Sequence, residues 1–337
     1  MAEVVVITGG SAGIGLAAAR AFAVRGDSIG LIARGAPRLA EAAAGLESLG
    51  AKVHTVAADV ADADAVESAA REIEAALGPI TVWVNNAMAT IYAPVRVADE
   101  AEIARVTAVT YLGAVNGTKA ALRRMTGGGT IVQVSSVLAW RAAPVQAAYC
   151  GAKFALRGFT EALRSELIHD GLDVNLTMVH LPAIDTPQFD WARNRTGRRA
   201  KAPDPVYTPE TAAAAIVFAA THRRRDVWVG RQTPPTILAA RLAPGLLDRL
   251  LATKGYDGQL DERRQATTAG NLFDPVPGPA VAHGRFSARA QTGTREIFTS
   301  RQADAVAATM LLGAAVGLAA LASLPLVPLA MLGRARR

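Results

Sequence analysis

Glu3-Val4-Val5-Val6-Ile7-Thr8-Gly9-Gly10-Ser11-Ala12-Gly13-Ile14-Gly15 begins two residues into the chain, and its reading decides the fold. The continuous β-branched run is how a parallel strand buried on both faces reads. The glycines let the backbone turn sharply and come close to a pyrophosphate. A helix starting near Gly13 then turns its free N–H groups and positive dipole end toward the phosphates. A glycine turn alone is more often structural. Strand, glycines and helix together point to a dinucleotide.

Outward from this stretch the pattern repeats. Apolar strand-like runs lie at Glu3–Thr8, Ser28–Ala33, Lys52–Ala57, Ile80–Asn85, Thr130–Ser135, Asp173–Val179 and Val227–Val229, with alanine-rich helical stretches between them. Such alternation predicts an α/β fold: a Rossmann-type, doubly wound parallel sheet of about seven strands with helices on both faces. The alanine richness reflects helix propensity rather than disorder.

A second stretch carries chemistry. Tyr149-Cys150-Gly151-Ala152-Lys153 places a phenol and an ammonium four residues apart, on one face of a helix. A neighbouring ammonium favours the ionised phenol, so the pKa of Tyr149 is expected to fall toward working pH. Alone, the pair is weak evidence. Ser136 strengthens it, lying thirteen residues upstream at the end of a strand-like run.

With these motifs the chain resembles the short-chain dehydrogenase/reductase family, in its classical branch, from about Glu3 to about Val229. The residues that carry the resemblance are Thr8-Gly-x-x-x-Gly13-x-Gly15, Asn85-Asn86-Ala87, Ser136, Tyr149-x-x-x-Lys153, and Pro182 with Thr186. Two positions depart from the family pattern. Met88 stands where a glycine usually follows Asn-Asn-Ala. Thr110 stands where the family has an asparagine whose backbone carbonyl helps hold a water of the proton relay.

The resemblance implies a hydride transfer between a nicotinamide and a ketone or secondary alcohol. Ser136 would hydrogen-bond the substrate oxygen, Tyr149 would exchange the proton, and Lys153 would lower the phenol's pKa and hold the nicotinamide ribose. Thr8, Gly9, Gly13, Ile14 and Gly15 would cradle the phosphates, and Ser11 would add a hydroxyl at a 2′-phosphate. Asp59 and Val60 would meet the adenine, Asn86 would lie beside the cofactor, and Pro182 and Thr186 would stand at the nicotinamide end. An acidic residue after the second strand would select NAD. The chain has Ala33-Arg34 there and no acid before Glu41. Arg34 can pair with a 2′-phosphate, so NADP is expected over NAD. No metal is assigned.

The segment after the sixth strand usually forms a substrate lid. Here it contains Phe189 and Trp191, which either line a greasy pocket or simply pack. It also contains Arg193, Arg195, Arg198 and Arg199, which either meet an anion or are solvated. A net charge of +7 over 337 residues comes with no nucleic-acid recognition motif, so no nucleic-acid partner is expected. The single cysteine, Cys150, excludes an intrachain disulfide and reads as a packing residue. Met1-Ala2 runs straight into the first strand, so no signal peptide is expected.

Residues 1–235 thus form the expected cofactor-binding and catalytic domain, and 236–304 a helical extension with a Pro/Gly-rich linker at Asn271–Gly284. The run Ala305–Leu332 carries no charge and exceeds the roughly 20 residues that span a bilayer. A membrane-attached enzyme is expected, its catalytic domain facing the cytoplasm. The resemblance adds a homo-oligomer. The other readings are a cofactor-binding sensor or scaffold with weak or no catalysis, and a soluble reductase whose apolar tail mediates subunit contact.

Overall fold

The computed structural model describes residues 2–293 and 297–299. The apolar run Ala305–Leu332, with the membrane attachment read from it, lies outside the described residues. Among the described residues no helix is long and apolar enough to cross a membrane.

The main sheet contains β1 (Val4–Thr8), β2 (Ser28–Ala33), β3 (Val53–Ala57), β4 (Val82–Asn85), β5 (Gly129–Ser136), β6 (Val174–Leu181), β7 (Asp226–Val229) and a short β8 (Ile297–Thr299). Their spatial order is β8-β7-β6-β5-β4-β1-β2-β3. Every pairing from β3 to β7 is parallel. The order in which the chain adds strands to the sheet reverses between β1 and β4, and such a switch point leaves a crevice beyond the carboxyl ends of the strands.

The pleat of β1 explains its unbroken apolar run. Val5 and Ile7 join the core on one face with Leu16, Phe22, Leu39 and Ile216, while Val4 and Val6 join the other with Val66, Ile73, Leu163 and Leu167. Each such side chain contributes about 1.5–3 kcal/mol on burial. The first face is covered by α1 (Gly13–Val24), α2 (Ala36–Glu47) and a late helix, Pro209–Thr221. The second is covered by α3 (Ala63–Leu77), α4 (Glu100–Thr107), α5 (Gly113–Leu122) and α6 (Ala147–His169). Between α4 and α5 the residues Ala108–Leu112 make a π-turn.

After β6 come α7 (Gln188–Trp191) and α8 (Pro209–Thr221), and after β7 come α9 (Thr233–Leu242) and α10 (Pro244–Gln259). The break between α9 and α10 falls where Pro244 lacks an N–H. The Pro/Gly-rich segment beyond them is not a free linker. Residues 271–287 run back over the sheet's carboxyl edge and are fixed there by hydrogen bonds to α1, α2 and the chain after β6. Local composition reported its stiffness and turns, but not its remote partners.

Candidate active site

The glycine turn is shaped by contacts that exclude side chains. Gly9 and Gly13 have φ of +68° and +56°, the left-handed region. A Cβ on Gly15 would lie 2.3 Å from the Gly9 carbonyl oxygen and 2.6 Å from Asn86 Nδ2. The N-cap of α1 is Ala12, which offers no side-chain cap to the first N–H groups of the helix. The Gly13 N–H donates to the Val281 carbonyl at 2.9 Å. Thr8 stands behind the turn: its Oγ1 accepts the N–H groups of Asn86 and Ala87 at 3.0 and 3.1 Å. Asn86 in turn donates Nδ2–H to the carbonyls of Thr8 and Gly9. Thr8 and Gly15 therefore brace the turn, while Gly9, Ser11, Gly13, Ile14 and Asn86 line the cavity.

At the other end of the cavity, Ser136 closes β5, and Tyr149 and Lys153 lie in the first turns of α6. Ser136 Oγ accepts the Leu138 N–H at 3.1 Å, which leaves its own proton to donate elsewhere. Lys153 Nζ donates to the Val134 carbonyl at 2.7 Å and lies 5.7 Å from the centre of the Tyr149 ring. Sequence spacing thus brings all three together.

The expected lowering of the phenol's pKa is not what the site displays. Burial pushes Tyr149 above the usual tyrosine range, against a hydrogen bond from Ser136 that works the other way. Burial also lowers Lys153, to about 7. A phenol of raised pKa keeps its proton.

One cavity of about 730 Å³ joins the glycine turn to this triad. Its walls include Arg34, Asp59, Val60, Pro182 and Thr186. Asp59 is paired with Arg105 and accepts the Ala61 N–H at 3.0 Å. Arg34 is not a free rim cation: its guanidinium donates to the carbonyls of Asn271, Leu272 and Phe273. Burial first, then the Arg105 charge, lowers its pKa. Thr110 is buried and locked to Ala89, accepting its N–H at 2.9 Å and donating to its carbonyl at 2.8 Å. The π-turn that contains it breaks the regular ladder there, the arrangement in which helix carbonyls come free. Asn116, outside the motifs, fixes Val60 by donating to its carbonyl at 2.9 Å.

The cavity wall also includes the apolar Met88, Leu138, Phe189, Leu250 and Leu251, with Arg141 and Lys254 among them. Phe189 both lines the cavity and packs edge-on against Phe286, with ring centres 5.3 Å apart. Trp191 lines the cavity under the Arg38 guanidinium. The lid arginines are neither free for an anion nor merely solvated. Arg193 and Arg195 share Glu102, Arg198 pairs with Asp257, and Arg199 with Asp190.

Sequence reading missed Gln146 and Gln259, buried polar residues on this wall that hydrogen-bond each other. It also missed the brace behind the serine loop. There Trp140 donates to His180 Nδ1 at 3.1 Å, so Nε2 carries the proton toward Asp226 at 3.0 Å. Neither has a motif, because both pair residues far apart in sequence. Cys150 is buried, and burial raises its thiol pKa. Among the described residues no cluster of His, Cys, Asp and Glu could hold a metal ion.

The glycine turn at the start of α1 and the continuous cavity beyond it fit a dinucleotide. The sequence profile of the short chain dehydrogenase family matches residues 3–196. The uncharacterized oxidoreductase YxnA of Bacillus subtilis is 34% identical over 265 residues, covering 77% of this chain and 74% of its own. 3-Dehydrosphinganine reductase TSC10B of Arabidopsis thaliana is 36% identical over 192 residues, covering 55% and 56%. An alcohol dehydrogenase from the archaeon Thermococcus sibiricus, solved with 5-hydroxy-NADP, superposes with a TM-score of 0.60 at 26% identity. That match covers 68% of this chain and 96% of that one. The chain belongs to the short-chain dehydrogenase family, a family of NAD(P)-dependent oxidoreductases acting on CH–OH and C=O groups.

Proposed function

We propose that this protein is an NADP-dependent reductase of a lipophilic ketone, able to run in reverse on the corresponding secondary alcohol. The observation that carries the reading is the meeting of Ser136, Tyr149 and Lys153 in a cavity continuous with the glycine turn. When bound there, the nicotinamide supplies the hydride for reduction or takes it in oxidation. Ser136 directs its hydroxyl proton at the substrate oxygen and opposes the charge that develops on it. Tyr149, kept protonated by burial, gives its proton to that oxygen. Lys153 holds the nicotinamide ribose and restores the proton on the phenol.

The apolar wall of Met88, Leu138, Phe189, Leu250 and Leu251 favours a lipophilic substrate. A relative named for reduction of 3-dehydrosphinganine, itself a ketone, supports the same substrate class. NADP is favoured by Arg34 and Arg38 at the adenosine end and by the NADP derivative held in the archaeal neighbour. Membrane attachment rests on the charge-free run Ala305–Leu332. The exposed Leu238, Leu242 and Leu246 lie on α9 and α10, the helices whose Thr236 and Leu250 line the cavity, and they suit a lipid-facing enzyme.

The test is a panel of ketones of increasing chain length, followed by the absorbance of reduced nicotinamide, with NADPH and NADH compared. Turnover that improves with chain length and prefers NADPH is expected. Tight cofactor binding with no turnover of any ketone or alcohol would instead favour a sensor or scaffold. Fractionation without detergent tests attachment: full-length protein should sediment with membranes, and protein lacking residues 301–337 should not.

A further inference from the structure

The mechanism leaves residues 271–287 without a task, yet they are fixed at more points than any ordinary connection requires. Gly270, with φ of +61°, packs so closely on Trp191 that a Cβ would lie 2.4 Å from its carbonyl oxygen. Asn271 follows, donating its N–H to the same carbonyl at 2.7 Å. The carbonyls of Asn271, Leu272 and Phe273 accept from Arg34, and that of Leu272 also from Arg105. The carbonyls of Val276 and Gly278 accept from Arg38. The Ala280 N–H donates to Glu41, and the Val281 carbonyl accepts the Gly13 N–H of the phosphate turn. Asp185, fully buried, closes the far end by accepting the Phe286 N–H at 2.8 Å and the Ser287 hydroxyl at 2.7 Å.

Three features say what this strap does. It forms a wall and not a plug, because Asn271, Pro275 and Val276 line the same cavity as Gly9, Gly13, Arg34 and Asp59. It holds Arg34 and Arg38 through neutral carbonyls, so the guanidinium groups are positioned without losing their charge. It is stiff, because Asp274-Pro275-Val276-Pro277-Gly278-Pro279 has a proline at every second position. Such a segment is extended before it docks and gives up little entropy on docking.

We infer that residues 271–281 are a cofactor clasp, the outer wall of the adenosine half of the dinucleotide site, holding the bound nucleotide and the two arginines that face its 2′-phosphate. The inference rests on the dinucleotide reading of the cavity. It adds to that reading a contribution from outside the matched family segment, which ends at residue 196. A dinucleotide enters the adenosine half only when the strap yields. Its departure is then slowed by the same anchors.

The test loosens the strap while keeping every carbonyl anchor: Pro275→Gly, Pro277→Gly and Pro279→Gly together in the full chain. NADPH binding is followed by fluorescence and stopped-flow, and 2′,5′-ADP serves as a probe of the adenosine half alone. Hydrogen exchange is measured over residues 271–281. In the native protein, NADPH should deepen protection of the strap. In the variant, the NADPH dissociation rate should rise about tenfold, with 2′,5′-ADP weakened in parallel and melting temperature held. Unchanged affinity and dissociation, alongside faster strap exchange, would overturn the inference. Tighter binding by the variant would also overturn it and make the strap a plug. If the native protein binds neither NADPH nor NADH, the dinucleotide reading fails first. Loss of native melting in the triple variant sends the test to Pro277→Gly alone, with the same two outcomes.

Discussion

At the reaction end of the cleft, three side chains from β5 and α6 meet in a rigid frame, the farthest of them seventeen positions apart in sequence. At the adenosine end, Arg34 is held by the Phe273 carbonyl, 239 positions away. The first end is built from side chains at fixed local spacing. The second is closed by backbone carbonyls of a remote segment, whose side chains matter little to the contact. Chemistry that depends on side-chain identity leaves a motif, and enclosure that depends on backbone does not.

The two ends should respond differently to substitution. The largest effect short of removing the proton donor itself belongs to Lys153→Ala, which removes a group proposed both to renew the phenol's proton and to hold the ribose. Turnover should fall by about 10²–10⁴-fold, with weaker NADPH binding in an equilibrium titration. Loss of turnover with full affinity would remove the ribose role. Ser136→Ala should lower turnover by about 10²–10³-fold and leave NADPH affinity as it was, which steady-state and binding data together can check.

Arg34→Asp lies at the other end and should act on two things at once. Losing the cation should shift preference from NADPH toward NADH by about tenfold. Losing the anchor should also raise hydrogen exchange at Asn271–Phe273. A preference shift with the strap undisturbed would mean that Arg34 serves the phosphate alone.

The last effect is on stability. Lys153 has its pKa lowered from 10.5 to about 7 by burial, so the unfolded chain binds more protons between those values. The contribution of this group to stability therefore rises with pH from about 7 and levels off near 10.5. It is reduced below about 7, where the folded state must bury the charge. Lys153→Met should flatten that slope in denaturant melts across the range. An unchanged slope would mean that the ammonium is not buried in solution.

The same contrast explains what could be read in advance. The strand runs were legible because strands buried on both faces read as apolar, largely β-branched runs; β3, a half-buried edge strand, was legible from its valines, and each run was located to within about two residues. The glycine turn and the Ser136, Tyr149 and Lys153 positions were legible as motifs. The direction of the Tyr149 pKa was not, because desolvation depends on what covers the ring, and spacing carries no record of that. The lid arginines were misjudged for a related reason: Glu102, which takes two of them, lies on α4, about ninety positions away. The strap read as a linker because proline and glycine describe its stiffness and turns, while its anchors lie in α1, α2 and the chain after β6.

The most direct measurement is NADPH titration of Tyr149→Phe, followed in the same sample by addition of a ketone that the native enzyme reduces. The variant should bind NADPH within about twofold of the native affinity, since the phosphates and adenosine are held elsewhere, and yet leave it unconsumed for lack of a proton donor. Substantial NADPH consumption by the variant would contradict the assignment of Tyr149, and lost binding would contradict the separation of the two ends.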